Sequence, residues 1–249
     1  MNRPSSHTLL RTLAAVSLTG AVALAAGPAM AATGPSPSTN PPATLAQIQA
    51  AAAAAVNARE TQLGKLSARL SAAPGCDNNG TVAGIIATDG PALTQLLATI
   101  DADTTVAAAR VDYQAIFDYY RIYMLVSPQA DTAAACGLIL KADTHLTTDE
   151  ATLSARVKAV EALGTPLPNA DASLADMTAK LADGTAQANS AYSALSSLVP
   201  DRGNKAVQAT NQAAVATAHG ELETAHTDLV AALADARAVV ADLNAIHAG

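Results

Sequence analysis

Apolar side chains recur at intervals of three, four and seven along most of the chain, the spacing of one helix face rather than the alternation of a strand. Over residues 44–73 the stripe is Leu45, Ile48, Ala52, Val56, Leu63, Leu66 and Leu70, opened by a Thr44/Gln47 capping-box spelling and stopped by Pro74-Gly75. Residues 76–80 read as a turn. A short helix is predicted over 81–88, broken at Asp89-Gly90-Pro91, with Pro91 in the first turn of a further helix over 91–101. Asp103 or Thr104 can cap the next helix, which runs to about Leu125. Ser127, standing before Pro128, is pushed out of the helical region and becomes the cap of another. Residues 119–126 are rich in strand formers, so a strand is the alternative to helix there.

In the second half, Ile139, Leu146, Leu153 and Val160 recur at sevens, with Ala142, Val157 and Leu163 or Gly164 beside them. Thr147 and Glu150 spell a second capping box, which predicts an interruption near His145. After a loop at 164–169, Leu174, Met177, Leu181, Gly184, Ala188, Ala191, Tyr192, Leu195 and Leu198 mark another helix, and 200–204 turn the chain again. The last helix, 205–247, carries Val215, His219, Leu222, His226, Leu229, Leu233, Ala236, Val240, Leu243 and His247 as its seam. At ~1.5 Å per residue it is about 65 Å long, so it must lie along other long helices, and short connections make neighbours antiparallel. The expected fold is all-α: an elongated antiparallel bundle of long, coiled-coil-like helices over residues 44–249, one domain, with the short helices of 81–126 packed on one end.

Composition sharpens this picture. About a quarter of the 249 residues are alanine and 2% are aromatic, which favours helix and removes the material of a β-sandwich or a base-stacking platform. The formal net charge of −7 argues against a nucleic-acid partner. Arg3 and Arg11, an apolar run of about 15 residues, and Ala29-Met30-Ala31 follow the order of a secretory signal peptide, 1–31, too short to span a membrane comfortably. Its removal leaves 12 basic against 21 acidic residues, a charge of −9, and no further membrane span. Residues 32–43, rich in Pro, Ser and Thr, read as a disordered spacer. Both cysteines, Cys76 and Cys136, fall in the exported part, and an even count in an oxidising compartment predicts a disulfide.

Five of the six aromatic residues fall within 113–123. Tyr113, Phe117, Tyr120 and Met124 share a helical face and are expected in the core. Arg121, paired to Asp118, and Tyr123 are expected nearer the surface, so that truncating Arg121 should cost under about 1 kcal/mol. Tyr119, Arg121 and Tyr123 are the candidate ligand or partner residues. On the last helix His219, Glu223 and His226 lie at i, i+4 and i+7, and Glu223 to His226 is a Glu-x-x-His pair such as di-iron bundles use. A single such pair is more economically read as part of a weakly apolar seam, so no cofactor is expected. No nucleophile elbow, phosphate loop or dinucleotide fingerprint occurs in the mature chain, and no catalytic residue is assigned.

The stretch 116–129, IFDYYRIYMLVSPQ, followed by an alanine-rich helix, resembles a segment of uncharacterised, secreted, alanine-rich helical proteins of actinobacteria, in which a Tyr-Arg-x-Tyr-x-Leu core precedes a proline. The similar region covers about residues 80–165. The resemblance implies secretion and a helical fold, and no activity. The expected function is that of a secreted, non-enzymatic helical spacer or interaction module of the cell envelope, with an extracellular protein partner or a second copy joined through the long helices. A bundle binding a small ligand or a metal is the alternative.

Overall fold

The computed structural model describes residues 44–73, 76, 77 and 80–248; the side chains of 247 and 248 are not described. The seam placement of the His247 side chain is therefore not described, and the expected signal peptide, the expected Pro/Ser/Thr spacer and the Pro74-Gly75 stop lie outside the described residues. Among them there are six α-helices, α1 (Leu45–Ala72), α2 (Thr81–Ala102), α3 (Val106–Asp118), α4 (Ser127–Glu161), α5 (Pro168–Ser196) and α6 (Lys205–Ala248), a π-helical segment (Ile122–Val126), and no strand. The protein is an all-α helical bundle.

The two larger of three hydrophobic clusters share one helix, the third being Ala191, Leu195 and Ala218 between α5 and α6. Leu63, Leu66, Val82, Leu93, Ile100, Ile116, Phe117, Ile122 and Ala130 join α1, α2, α3, the π segment and the start of α4. Ile139, Leu153, Val157, Met177, Leu181, Ala188, Ala225, Leu229 and Val239 join the rest of α4 to α5 and α6. Helices α5 and α6 pack on each other and on α4, whereas α1 packs on α2, α3 and α4. The result is two three-helix arms overlapping where α4 begins.

Local chemistry accounts for the helix ends that were foreseen. Thr44 and Gln47 form the reciprocal cap, with backbone to side-chain distances of 3.1 and 3.2 Å. Several predicted boundaries differ in the structure. Helix α2 runs unbroken through Pro91, because the ring lies on the exposed side and only the bond to the Ala87 carbonyl is forgone. Helix α3 is capped by Thr105 rather than Asp103 or Thr104, with the amide of Ala108 donating to its hydroxyl at 3.2 Å. Helix α4 passes His145 without interruption. Thr147, the expected cap, lies inside the helix, and its neighbours Thr144, Thr148 and Thr152 each donate their hydroxyls to the carbonyl four residues back, a bond made within a continuing helix. Leu163 is 86% exposed beyond the end of α4 and fills no stripe.

The seam of α6 also differs from expectation. Leu229, Ala236 and Leu243 are buried as predicted, and their fully buried companions are Ala218, Ala225, Ala232 and Val239; His219, His226 and Leu233 are half-buried, as are Leu222 and Val240, which still pack against the core. Small residues on that edge let α5 come close. A Cβ built on Gly184 of α5 stands 3.2 Å from the Ala225 carbonyl oxygen and 3.5 Å from the Asp228 Cβ. Gly184→Ala should therefore be nearly neutral, the crowding offsetting a helix-propensity gain of about 0.5–1 kcal/mol. Gly184→Leu should destabilise by about 1–3 kcal/mol through overpacking. Thermal melts of the two variants check the pair, and equal effects would refute the close crossing.

Candidate functional site

The cysteines form the predicted disulfide, Cys76–Cys136, with Cα atoms 5.8 Å apart and 60 residues between them in sequence. It joins the connector between α1 and α2 to the third turn of α4. Directly after Cys76, the buried Asp77 carboxylate accepts from the amides of Val82 and Ala83 at 3.0 and 2.9 Å, and from the Tyr192 hydroxyl at 2.7 Å. Helix α2 needs this help: its own N-cap is Gly80, at φ 65° and with no side chain to offer. Burial, together with the adjoining Asp77 carboxylate, pushes the Tyr192 phenol up to about 12.

The tyrosine segment departs most from expectation. Neither a continued α-helix nor a strand forms over 119–126. Helix α3 stops at Asp118, whose carbonyl accepts the Arg202 amide at 3.2 Å, and Arg121 leaves the helical region with ψ 48°. The chain restarts as a π turn in which the amides of Leu125 and Val126 both donate to the Arg121 carbonyl. Helix α4 follows without a gap. Ser127 is helical rather than a cap, since its hydroxyl accepts from the Gln62 side chain at 3.2 Å, and Pro128 sits in the first turn, where its missing amide costs nothing.

Arg121 is the largest correction. Its side chain is only 15% exposed, and its shortest ion pair is not with Asp118, 3.8 Å away, but with Asp201, at 2.7 Å, in the loop between α5 and α6. Asp201 is itself 4% exposed and accepts the Gly203 amide on the same oxygen. Burial would raise its carboxyl, but the Arg121 and Gly203 hydrogen bonds outweigh this and hold it below the usual carboxylate range. Beside the pair, the Gln129 side chain donates to the Leu195 and Leu198 carbonyls at 2.8 and 3.1 Å, closing the end of α5, and Asn211 donates to Val199 at 2.9 Å.

The candidate residues do not converge on one site. Tyr119 is 50% exposed under the Arg202 guanidinium, 5.4 Å from its ring centre, while Arg121 faces Asp201. Tyr123 turns to α1, donating its hydroxyl to the Ala58 carbonyl at 3.1 Å. Of the residues expected in the core, Phe117 is buried, Tyr113 and Tyr120 are half-buried, and Met124 is 38% exposed. The π turn rotates Met124 away from the helical face it would share with Phe117.

Sequence reasoning passed over Arg59. It occupies a seam position of α1, between Val56 and Leu63, and is 4% exposed. Its guanidinium lies 4.6 Å from the Phe117 ring centre and 5.6 Å from that of Tyr123, and donates to the Ala55 carbonyl at 3.1 Å. Nε has no partner, and among the described residues no carboxylate pairs with it. Burial consequently pulls its pKa below the usual arginine value. The aromatic faces carry the charge instead of an anion.

Asp89, on α2, is half-buried, and burial pushes its carboxyl up to about 6 from 3.8. A raised folded value means that this group favours the folded state most below about pH 4 and that the contribution is lost as pH rises through 6. Asp89→Asn should then stabilise the protein at pH 7 by about 1 kcal/mol, a value discounted for its partial exposure, and by nothing at pH 4. Urea melts at the two pH values test the sign.

On α6, His219 Nε2 lies 3.1 Å from Glu223 Oε1, a surface i, i+4 contact. His226 is half-buried on the flank of the seam, and among the described residues no three His, Cys, Asp or Glu side chains come together as a metal-holding group. A small cleft of about 210 Å³ is lined by Ser67, Leu70, Ser71, Asp77 and Ala83. No described helix is long and apolar enough to cross a membrane. Compared with protein-family models, curated proteins and solved structures, the chain matches none.

Proposed function

We propose that the protein is a secreted, non-enzymatic helical spacer or interaction module of the cell envelope. The observation that carries this reading is the use made of the chemically versatile side chains. Arg121 and Asp201, Tyr192 and Asp77, Tyr123 and the α1 backbone, Gln129 and the end of α5 are each engaged in tying one helix to another. Such ties, with a disulfide, suit a part whose task is to hold a shape outside the cell. The long α6 supplies the length, about 66 Å at the standard rise. Half-exposed Tyr119 and Met124, with Val199 at 64%, offer a surface to a protein partner next to the best-fixed part of the fold.

The test is to express the full chain with a C-terminal tag and fractionate the cells. The reading expects a mature chain beginning at Ala32, found in the envelope fraction and oxidised at both cysteines. A cytoplasmic protein that retains residues 1–31 would sink it. The cleft of about 210 Å³ is the feature that favours the small-ligand alternative. Thermal shift against a panel of small polar compounds separates the two, since a ligand bound only by the native state raises the melting temperature.

A further inference from the structure

We propose that the Cys76–Cys136 disulfide is a redox-gated latch: it holds Asp77 where the carboxylate both starts α2 and grips Tyr192, and its reduction releases the α1–α2 corner from the arm formed by α4, α5 and α6. Three observations meet at this corner. Asp77 is covalently next to Cys76, so its position follows that of the disulfide. The amides of Val82 and Ala83 depend on Asp77, because Gly80 caps nothing. Tyr192, its third donor, is the aromatic residue that packs against both hydrophobic cores.

The three donors thus belong to two bodies that otherwise meet through α4 and where Asp118 and Arg121 bind the loop between α5 and α6. One carboxylate serves them together, and one covalent bond fixes that carboxylate. Both cysteines are buried, Cys76 at 9% exposure less completely than Cys136 at 0%, so attack on Cys76 needs the smaller local opening. The reductant is a dithiol. Its thiolate attacks Cys76 Sγ, forming a mixed disulfide and expelling Cys136 as a thiolate that takes up a proton. The second thiol of the reductant then displaces Cys76, leaving two protein thiols and the oxidised, cyclic reductant; two electrons and two protons are transferred. Without the bond, Asp77 leaves Tyr192, the first turn of α2 frays, and the cleft bounded by Ser67, Leu70, Ser71 and Ala83 opens.

The experiment uses the full mature chain, oxidised or reduced with dithiothreitol, and follows phenol ionisation and amide exchange; the absence of tryptophan leaves the tyrosine absorbance clear. In the oxidised protein one tyrosine, assigned by its loss in Tyr192→Phe, titrates at about 12. On reduction it should fall towards the ordinary value of about 10, and the Val82 and Ala83 amides should exchange at least about tenfold faster, while those in the middle of α6 keep their protection. Asp77→Ala with the disulfide intact removes the acceptor and should reproduce the loss at Val82 and Ala83. An unchanged Tyr192 titration overturns the latch. So does equal loss of protection in α6, which would make the disulfide a global staple, and so does an Asp77→Ala variant with α2 amides still protected.

Discussion

Replacing Asp201 by alanine should destabilise the protein by about 3 kcal/mol, and Arg121→Ala should cost nearly as much. Both side chains are largely buried, and removing one leaves the other as an uncompensated charge in a place where water reaches it poorly. That is several times the value expected for an exposed pair with Asp118, the arrangement suggested by adjacency in sequence. The double variant Arg121→Met/Asp201→Leu should recover much of the loss, because replacing a whole buried pair by apolar groups is far cheaper than breaking it. The cost should also depend on pH. The Asp201 carboxyl is held below its ordinary value, so its contribution is complete at neutral pH and lost as pH falls through the folded value. Denaturant melts at neutral and acid pH measure both statements, and a cost under 1 kcal/mol at pH 7 would contradict the buried pair.

Phe117→Ala should be as damaging, at about 3–5 kcal/mol. The ring is 8% exposed, meets Tyr113 edge to face with centroids 5.1 Å apart, and forms the nearer of the two aromatic faces beside Arg59. Truncation leaves a cavity and withdraws support from a buried cation. A packing role alone and a charge-bearing role are separable in the background Arg59→Met, a change of similar volume with no charge. There Phe117→Ala should cost about 1 kcal/mol less, the part due to the cation. An identical cost in both backgrounds would mean that the stacking contributes nothing.

These two sites show what a reader of the sequence could and could not see. The helices were legible because each needs only its own stripe: Leu174, Met177, Leu181, Ala188 and Leu195 identify α5 and its buried face without reference to any neighbour. The disulfide was legible from count and compartment. Arg59 left a signal that went unread, since the step from Val56 to Leu63 passes through position 59 and a stripe with a gap has something filling it. Asp201 left none. Its loop, PDRGN, spells a turn whether or not an arginine 80 residues earlier is aimed at it.

The α6 seam failed for a different reason. Leu229, Ala236 and Leu243 are compatible with either of two flanking rows, and hydropathy favours the row with Leu233 and Val240. The row chosen is mostly alanine, which carries no signal in a chain where a quarter of all residues are alanine. What selects it is the closeness of α5 at Gly184, a property of two helices together. Pro91 makes a similar point: whether a proline breaks a helix depends on which side faces solvent, and that is decided by packing on α1 and α3.

The seam that α6 does use, Ala218, Ala225, Ala232 and Val239, returns every seven residues, and this makes the distal arm a ruler with discrete graduations. Adding seven residues to each of α4, α5 and α6 beyond the disulfide would extend the arm by about 10.5 Å and return every side chain to the same azimuth. Adding five would turn the far end through more than a quarter of a revolution and set alanines against polar residues. Length in this architecture is therefore adjustable in whole heptads only, while the junction that holds Arg121, Asp201 and the disulfide stays as it is.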